Sequence, residues 1–197
     1  MKKILLSGMA LTLLALACGE ESVTDSTPAN APGGVLKGVQ LSFNDRNMTT
    51  LARALNPAFV FYFDDGDVGT SPAGGSYIIP ESWTYTEFAR AAKKLFENTY
   101  AVDFRLTSAN LGEPGPNVTT HRVDNVAIRF LVMVDELNGY LVNYGHFDFE
   151  FRRHYGEGGQ ESWRLTKWWD HTGYGYDPNP GLVPASFGRV LAMYYCQ

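Results

Sequence analysis

Three kinds of side chain in this 197-residue sequence could do chemistry: histidines and carboxylates at strand spacing, a short acidic run, and two cysteines. His146-x-Asp148-x-Glu150 sets three ligand-forming groups at alternate positions, which turns them to one face of a β-strand. Neighbours on one face lie about 6.6–6.8 Å apart, so His146 and Glu150 are too distant to close on one ion held at about 2 Å. No metal site is expected there, and the three groups read as the solvated back of a strand whose other face is Phe147, Phe149 and Phe151. Asp64-Asp65-Gly66-Asp67 has the carboxylate density of a calcium loop without its spaced ligands or distal bidentate Glu, and reads as a polar turn. His121, His154 and His171 have no nucleophile in a recognisable setting, since Ser162 and Ser186 lack a G-x-S-x-G context. The residues therefore designate neither a catalytic group nor a cofactor.

The cysteines say more. Met1-Lys2-Lys3 followed by an apolar run from Ile4 to Ala17, broken only by Ser7, Gly8 and Thr12, is a basic start with an apolar segment behind it. The run is too short for a membrane span, which needs roughly 20 apolar residues, and residues 1–17 read as a secretory signal peptide. Leu14-Ala15-Leu16-Ala17-Cys18 resembles the lipobox of bacterial lipoproteins. That resemblance implies that Cys18 receives a diacylglycerol thioether, becomes the mature N-terminus and anchors the protein to a membrane of the cell envelope, the outer one in a Gram-negative source. An acylated Cys18 leaves Cys196 without an intramolecular partner, whereas a free Cys18 would allow an end-to-end disulfide in an oxidising compartment.

Removing the leader takes Lys2 and Lys3 from the 16 basic residues and none of the 21 acidic ones, so the exported chain is more acidic than the whole. With no basic stripe, nucleic acid is not an expected partner. Residues 18–34 carry almost no large apolar side chain and read as a lipidated cysteine followed by a flexible tether, with a typical end-to-end reach of about 20–25 Å. The remainder, 35–197, fits one domain with a Gly-, Pro- and Tyr-rich tail over 173–197.

Within that domain the apolar spacing from Val35 to Leu55 predicts two helices, the second capped by Asn47. Ala58 to Phe63 predicts a strand, and Thr84-Tyr85-Thr86-Glu87 a capping box opening a third helix with Phe88, Ala92, Leu95 and Phe96 on its apolar face. Four strands are predicted from Val102 to Ser108, Val123 to Asp135, Tyr140 to Tyr155 and Glu161 to Asp170. Asn138-Gly139 supplies a hairpin turn, Gly145 a bend, and Phe187 to Tyr194 a short C-terminal helix. The layout is α+β, a curved antiparallel sheet wrapped around N-terminal helices.

Asn44 through Phe63, then Phe147-x-Phe149-x-Phe151, then Trp163-Arg164-Leu165-x-x-Trp168-x-Asp170 resemble the nuclear-transport-factor-2-like superfamily, the cone of helices and bent sheet shared with ketosteroid isomerases and polyketide cyclases. The resemblance covers most of residues 35–171. In isomerase-like members a carboxylate base ends the first core strand, facing a tyrosine on the first helix. The matching positions here hold Phe63 and, roughly, Val39, neither of which can do that chemistry. The resemblance implies a binding or interaction module more than an enzyme. Alternatives are a carrier of an apolar small molecule in a pocket lined by Tyr62, Phe63, Phe149, Phe151 and Trp163, or a dehydratase or isomerase built on Asp170 and His171. A homodimer through the open sheet face is a further expectation of the resemblance.

Overall fold

The computed structural model describes residues 31–72, 75–107, 113–156, 159–175 and 180–197. The leader, Cys18 and most of the tether lie outside the described residues. The first element among the described residues is α1 (Pro32–Asn44), which starts a turn ahead of the expected Val35 because Pro32 fits the first turn of a helix, where its missing N–H costs nothing. Val35, Leu36, Val39 and Phe43 form the buried face of α1. Arg46 then takes a positive φ of 52°, and the Asn47 side chain accepts from Thr50 N at 3.1 Å, starting α2 (Met48–Ala54).

The chain runs directly into β1 (Leu55–Tyr62), and after a loop into β2 (Ser82–Thr84) and α3 (Tyr85–Asn98). The capping box holds α3 as its sequence implies, with Glu87 Oε2 accepting from Thr84 N at 2.8 Å. Next come β3 (Ala101–Thr107) and β4 (Thr120–Met133). The expected third long strand divides into β5 (Gly139–Val142) and β6 (Gly145–Tyr155). The division falls at Gly145, whose φ is 98° and whose added Cβ would lie 2.2 Å from the His171 carbonyl oxygen, so the bend requires glycine. β7 (Glu161–Thr172), β8 (Leu182–Pro184) and α4 (Phe187–Tyr195) complete the chain.

One sheet runs β2-β1-β7-β6-β4-β5-β8, with β3 also paired to β4. Its centre is antiparallel as expected, but β1 lies parallel to β7 and β5 parallel to β8, so the sheet is mixed. Both parallel pairs join segments distant in sequence, as parallel pairing requires a long crossover. The free edge of β3 is satisfied by α1: Asn44 brackets the Phe104 backbone, giving to its oxygen at 3.1 Å and accepting from its nitrogen at 2.6 Å, and Gln40 accepts from Leu106 N at 2.9 Å.

The core lies between the concave sheet face and the helices, and its centre is Phe187 at the start of α4. Its ring stacks on Trp168 at 5.0 Å and 17°, and stands 5.0–6.0 Å from Phe43, Phe61, Phe104, Phe130 and Phe147. Gly188 follows because a Cβ there would lie 2.6 Å from Phe63 Cδ1 and 3.0 Å from Asp170 Oδ2. Phe187→Ala should cost about 3–5 kcal/mol in urea unfolding, the value for a fully buried ring replaced by a cavity. Gly188→Ala, which adds one methyl at the contact with Phe63, should cost about 1–3 kcal/mol. Wild-type stability in both variants would show that α4 is not packed as described.

Candidate functional site

Inside the cone the residues suggested as pocket lining are packing. Phe63 stands 4.6 Å from Trp83 and 5.0 Å from Phe61; Phe149 lies 5.2 Å from Trp168 and 6.2 Å from Phe151. Both Phe149 and Phe151 are fully buried, and Trp163 is nearly so, with the Arg153 guanidinium 5.2 Å from its ring. Tyr62 differs: strand alternation turns it to the outer face of the sheet, where it stacks on Trp169 at 5.3 Å and 9°. Asp170 and His171 do not form the acid–base pair considered from sequence, because they are adjacent on β7 and point to opposite faces. Asp170 is buried and His171 exposed.

Two polar clusters remain, one on each side of the sheet. The inner one fastens α4. Asp170 Oδ2 accepts from Gly188 N at 2.7 Å, and its Oδ1 accepts from Thr172 N at 2.9 Å and from the Thr172 hydroxyl. Thr172 Oγ1 in turn accepts from Phe187 N at 2.8 Å. Beside it, buried Asp67 accepts from Ser186 Oγ, from the Tyr174 hydroxyl at 3.1 Å and from Arg189 Nη1 at 3.2 Å. Arg189 also donates to Thr70 Oγ1 at 3.0 Å and to the Ser71 oxygen at 2.8 Å. The acidic run is thereby divided: Asp64 closes a local turn on Gly66 N at 2.8 Å while Asp67 reaches inward. Every group in this cluster is engaged in holding the first turn of α4 and the loop after β1.

The outer cluster is made by two β-bulges, one on each side of β6. Pairing of β6 with β7 shifts by one residue between Glu150 and Phe151, where Thr166 is inserted and donates to the Glu150 oxygen at 2.9 Å. Without the shift His146 would face Asp170; with it, His146 faces His171. On the other side, β4 carries an extra residue between Val123 and Val126. There Asn125 adopts a φ of 59° and gives its N–H to Asp148 Oδ1 at 2.8 Å. Asp148 thus lies between two imidazoles, with His171 Nε2 at 3.4 Å and His146 Nε2 at 3.9 Å. Burial works against the ionised Asp148. The Asn125 N–H, the two histidines and Arg122, whose Nη2 donates at 3.1 Å, outweigh it and hold the carboxyl below its usual range. Trp169 lies beside this cluster, with Arg122 4.6 Å from its ring centre and Lys167 5.7 Å away.

Glu150 does not join the histidines, because it pairs with Lys167 at 3.2 Å further along the strand. The groups that converge with His146 are Asp148 and His171, and the distance argument made for His146 and Glu150 overlooked His171 on the neighbouring strand. Only the register could have revealed that partner, and the bulge at Thr166 is what changes it.

No family model matches the sequence, and no curated protein matches it. Solved structures share its architecture. A conserved protein from Planctomyces limnophilus superposes with a TM-score of 0.50 at 14% identity, over 71% of this chain and 91% of its own. The Kfla4162 protein from Kribbella flavida does so with a TM-score of 0.50 at 13% identity, over 81% and 92%. A protein of the NTF2-like family from Streptomyces avermitilis is similar with a TM-score of 0.46 at 18% identity, over 70% and 89%. The likeness to the first two is one of fold alone, and the α+β layout of helices against a curved sheet is the fold expected from the sequence. The positions that the resemblance assigns to a catalytic carboxylate and tyrosine hold Phe63 and Val39, and both are buried in the core.

Burial pushes Asp170 up to about 7, against the bonds from Thr172 and Gly188 that favour its charge; nearby Asp67 pushes it the same way. A carboxyl raised in the folded state binds its proton more tightly there than in the unfolded chain. Its contribution to stability is therefore full below about 4 and is lost as pH rises through about 7. Asp170→Asn should remove this component. Across pH 4.5–7.5 (approximate limits set by these two pKa values), the wild-type stability curve minus the Asn curve should decline with pH, read from urea midpoints. A difference that is flat or rises with pH would show that Asp170 is ionised in the fold throughout.

Proposed function

We propose that this protein is an exported, membrane-tethered binding module, in which the NTF2-like cone is a rigid scaffold and contacts are made from its outside. The observation that carries this reading is Phe187 at the centre of the cone. Among the described residues the middle of the cone is occupied by the start of the C-terminal helix, whose Phe187 ring lies among Trp168 and five phenylalanines. A ligand entering there would have to displace a fully buried ring and the Asp170 and Asp67 bonds behind it. The empty catalytic positions support the same reading, since neither a phenylalanine nor a valine can move a proton.

The tether rests on the N-terminal sequence: a short apolar leader, a lipobox-like Leu14-Ala15-Leu16-Ala17-Cys18, and a polar stretch before Pro32. No helix among the described residues is long and apolar enough to cross a membrane, so in this reading the hold on the bilayer comes from lipid on Cys18. The tether sets the domain clear of the headgroups, with its outer sheet face open to a partner.

Membrane fractionation with intact mass measurement tests both parts. The wild-type protein should sediment with membranes and carry a diacylglycerol-type mass on Cys18, whereas Cys18→Ala should appear in the soluble fraction unmodified. Native mass spectrometry should show the domain free of any retained apolar molecule. An unmodified Cys18 would overturn the tether, and a stoichiometric bound apolar ligand would overturn the filled scaffold in favour of a carrier.

A further inference from the structure

The inner cluster is fully used in fastening α4, whereas in the outer one the Asn125 N–H and Arg122 engage Asp148 and the two imidazoles lie against each other beside it. His146, Asp148 and His171 converge from two strands, and their ligand-forming atoms all lie within 4.8 Å of one another. The two imidazole nitrogens, at 3.4 and 3.9 Å from the carboxylate, are beyond ordinary hydrogen-bond distance. Three groups thus meet without satisfying each other, on a face where exposed histidines could have turned to solvent.

We propose that His146, Asp148 and His171 form a binding site for a divalent transition-metal ion of the zinc type on the outer face of the sheet. Two imidazoles and one carboxylate are the three-ligand set that binds such ions while leaving positions open to water or to a further ligand. The single carboxylate makes it a poor site for calcium or magnesium, which require several oxygen ligands. Around an ion held at about 2.0–2.2 Å the donor atoms stand about 3.3 Å apart, so closure asks each ring to move by about one ångström. The rings can do so, because their side chains are 38% and 43% exposed, whereas Asp148 at 12% is fixed. The Asn125 N–H on Asp148 Oδ1 is the kind of supporting bond that orients a ligating carboxylate.

Charge agrees. Lys167 is paired with Glu150, and Arg122 bridges Asp124 and Asp148, so the acidic groups around the site exceed the basic ones by one. A cation binding between the imidazoles would meet that excess. Arg122 is stacked on Trp169 and bound to Asp124, so it can yield its contact with Asp148 Oδ2 without losing its place.

The test is zinc titration calorimetry on the full-length protein carrying Cys18→Ser and Cys196→Ser, so that no thiol competes. One Zn²⁺ should bind per chain, and His146→Ala and His171→Ala should each weaken it by about tenfold or more, the scale expected when a site loses part of its coordination. His154→Ala, elsewhere on the same strand, should leave it unchanged. Co²⁺ should give visible d–d absorption that His171→Ala abolishes. Because His146 is half-buried and His171 exposed, unchanged far-UV circular dichroism should show that the variants fold. Absence of zinc binding, or binding that the double variant His146→Ala/His171→Ala retains, would overturn the site.

Discussion

The stacking of Phe187 on Trp168 is the contact on which this cone depends. Trp168 lies on the strand that joins the parallel and antiparallel parts of the sheet, and Phe187 brings to it the first turn of a helix that is otherwise remote in sequence. Such a ring is stable there only if the backbone around it can be buried without unpaired N–H groups, and a helix start has several. Asp170 and Thr172 answer that need by accepting from Gly188 N and Phe187 N, and a carboxylate at a helix N-terminus is favoured by the helix dipole as well. The cost is a buried carboxyl whose charge is disfavoured. Asp67 adds a second one nearby, offset by Arg189.

This arrangement also constrains the inside of the cone. The contact that seats Gly188 against Phe63 leaves no space for a side chain at position 188, and the Phe187 ring before it packs on Trp168 and against Phe61. Replacing Phe63 alone by a carboxylate would set a charge between the Phe61 and Trp83 rings and the first turn of α4. The packing of Phe63 and the seating of α4 are therefore one structural feature.

Much of this was legible in the sequence where the signal is local. Asn47 as a cap, the Thr84 to Glu87 box, the alternation Phe147, Phe149, Phe151, and the helix at Phe187 all act within a few residues and fold as their chemistry dictates. The parallel pairings of β1 with β7 and β5 with β8 were not legible, because nothing near Leu55 or Leu182 encodes a partner so distant in the chain. Tyr62 and Phe63 show the limit of composition. Both are aromatic and adjacent, yet alternation sends one to the outer face and the other into the core. Asp170 and His171 part in the same way.

Bulges account for the feature the sequence hid best. Counting back from the turn after Tyr155 pairs His146 with Asp170, an arrangement that would set an exposed histidine opposite a buried carboxyl with nothing shared between them. One inserted residue at Thr166 replaces that partner with His171, and one inserted residue beside Asn125 turns a backbone N–H toward Asp148. A bulge interrupts a ladder and leaves a residue unpaired, so two of them flanking one strand, one opposite Asp148 and one just past Glu150, cost pairing that a plain sheet would keep. What they produce is a convergence of His146, Asp148 and His171 that neither the core nor α4 uses. Under the proposal made above, that lost pairing is what brings two imidazoles and a carboxylate within reach of one ion on the outer face.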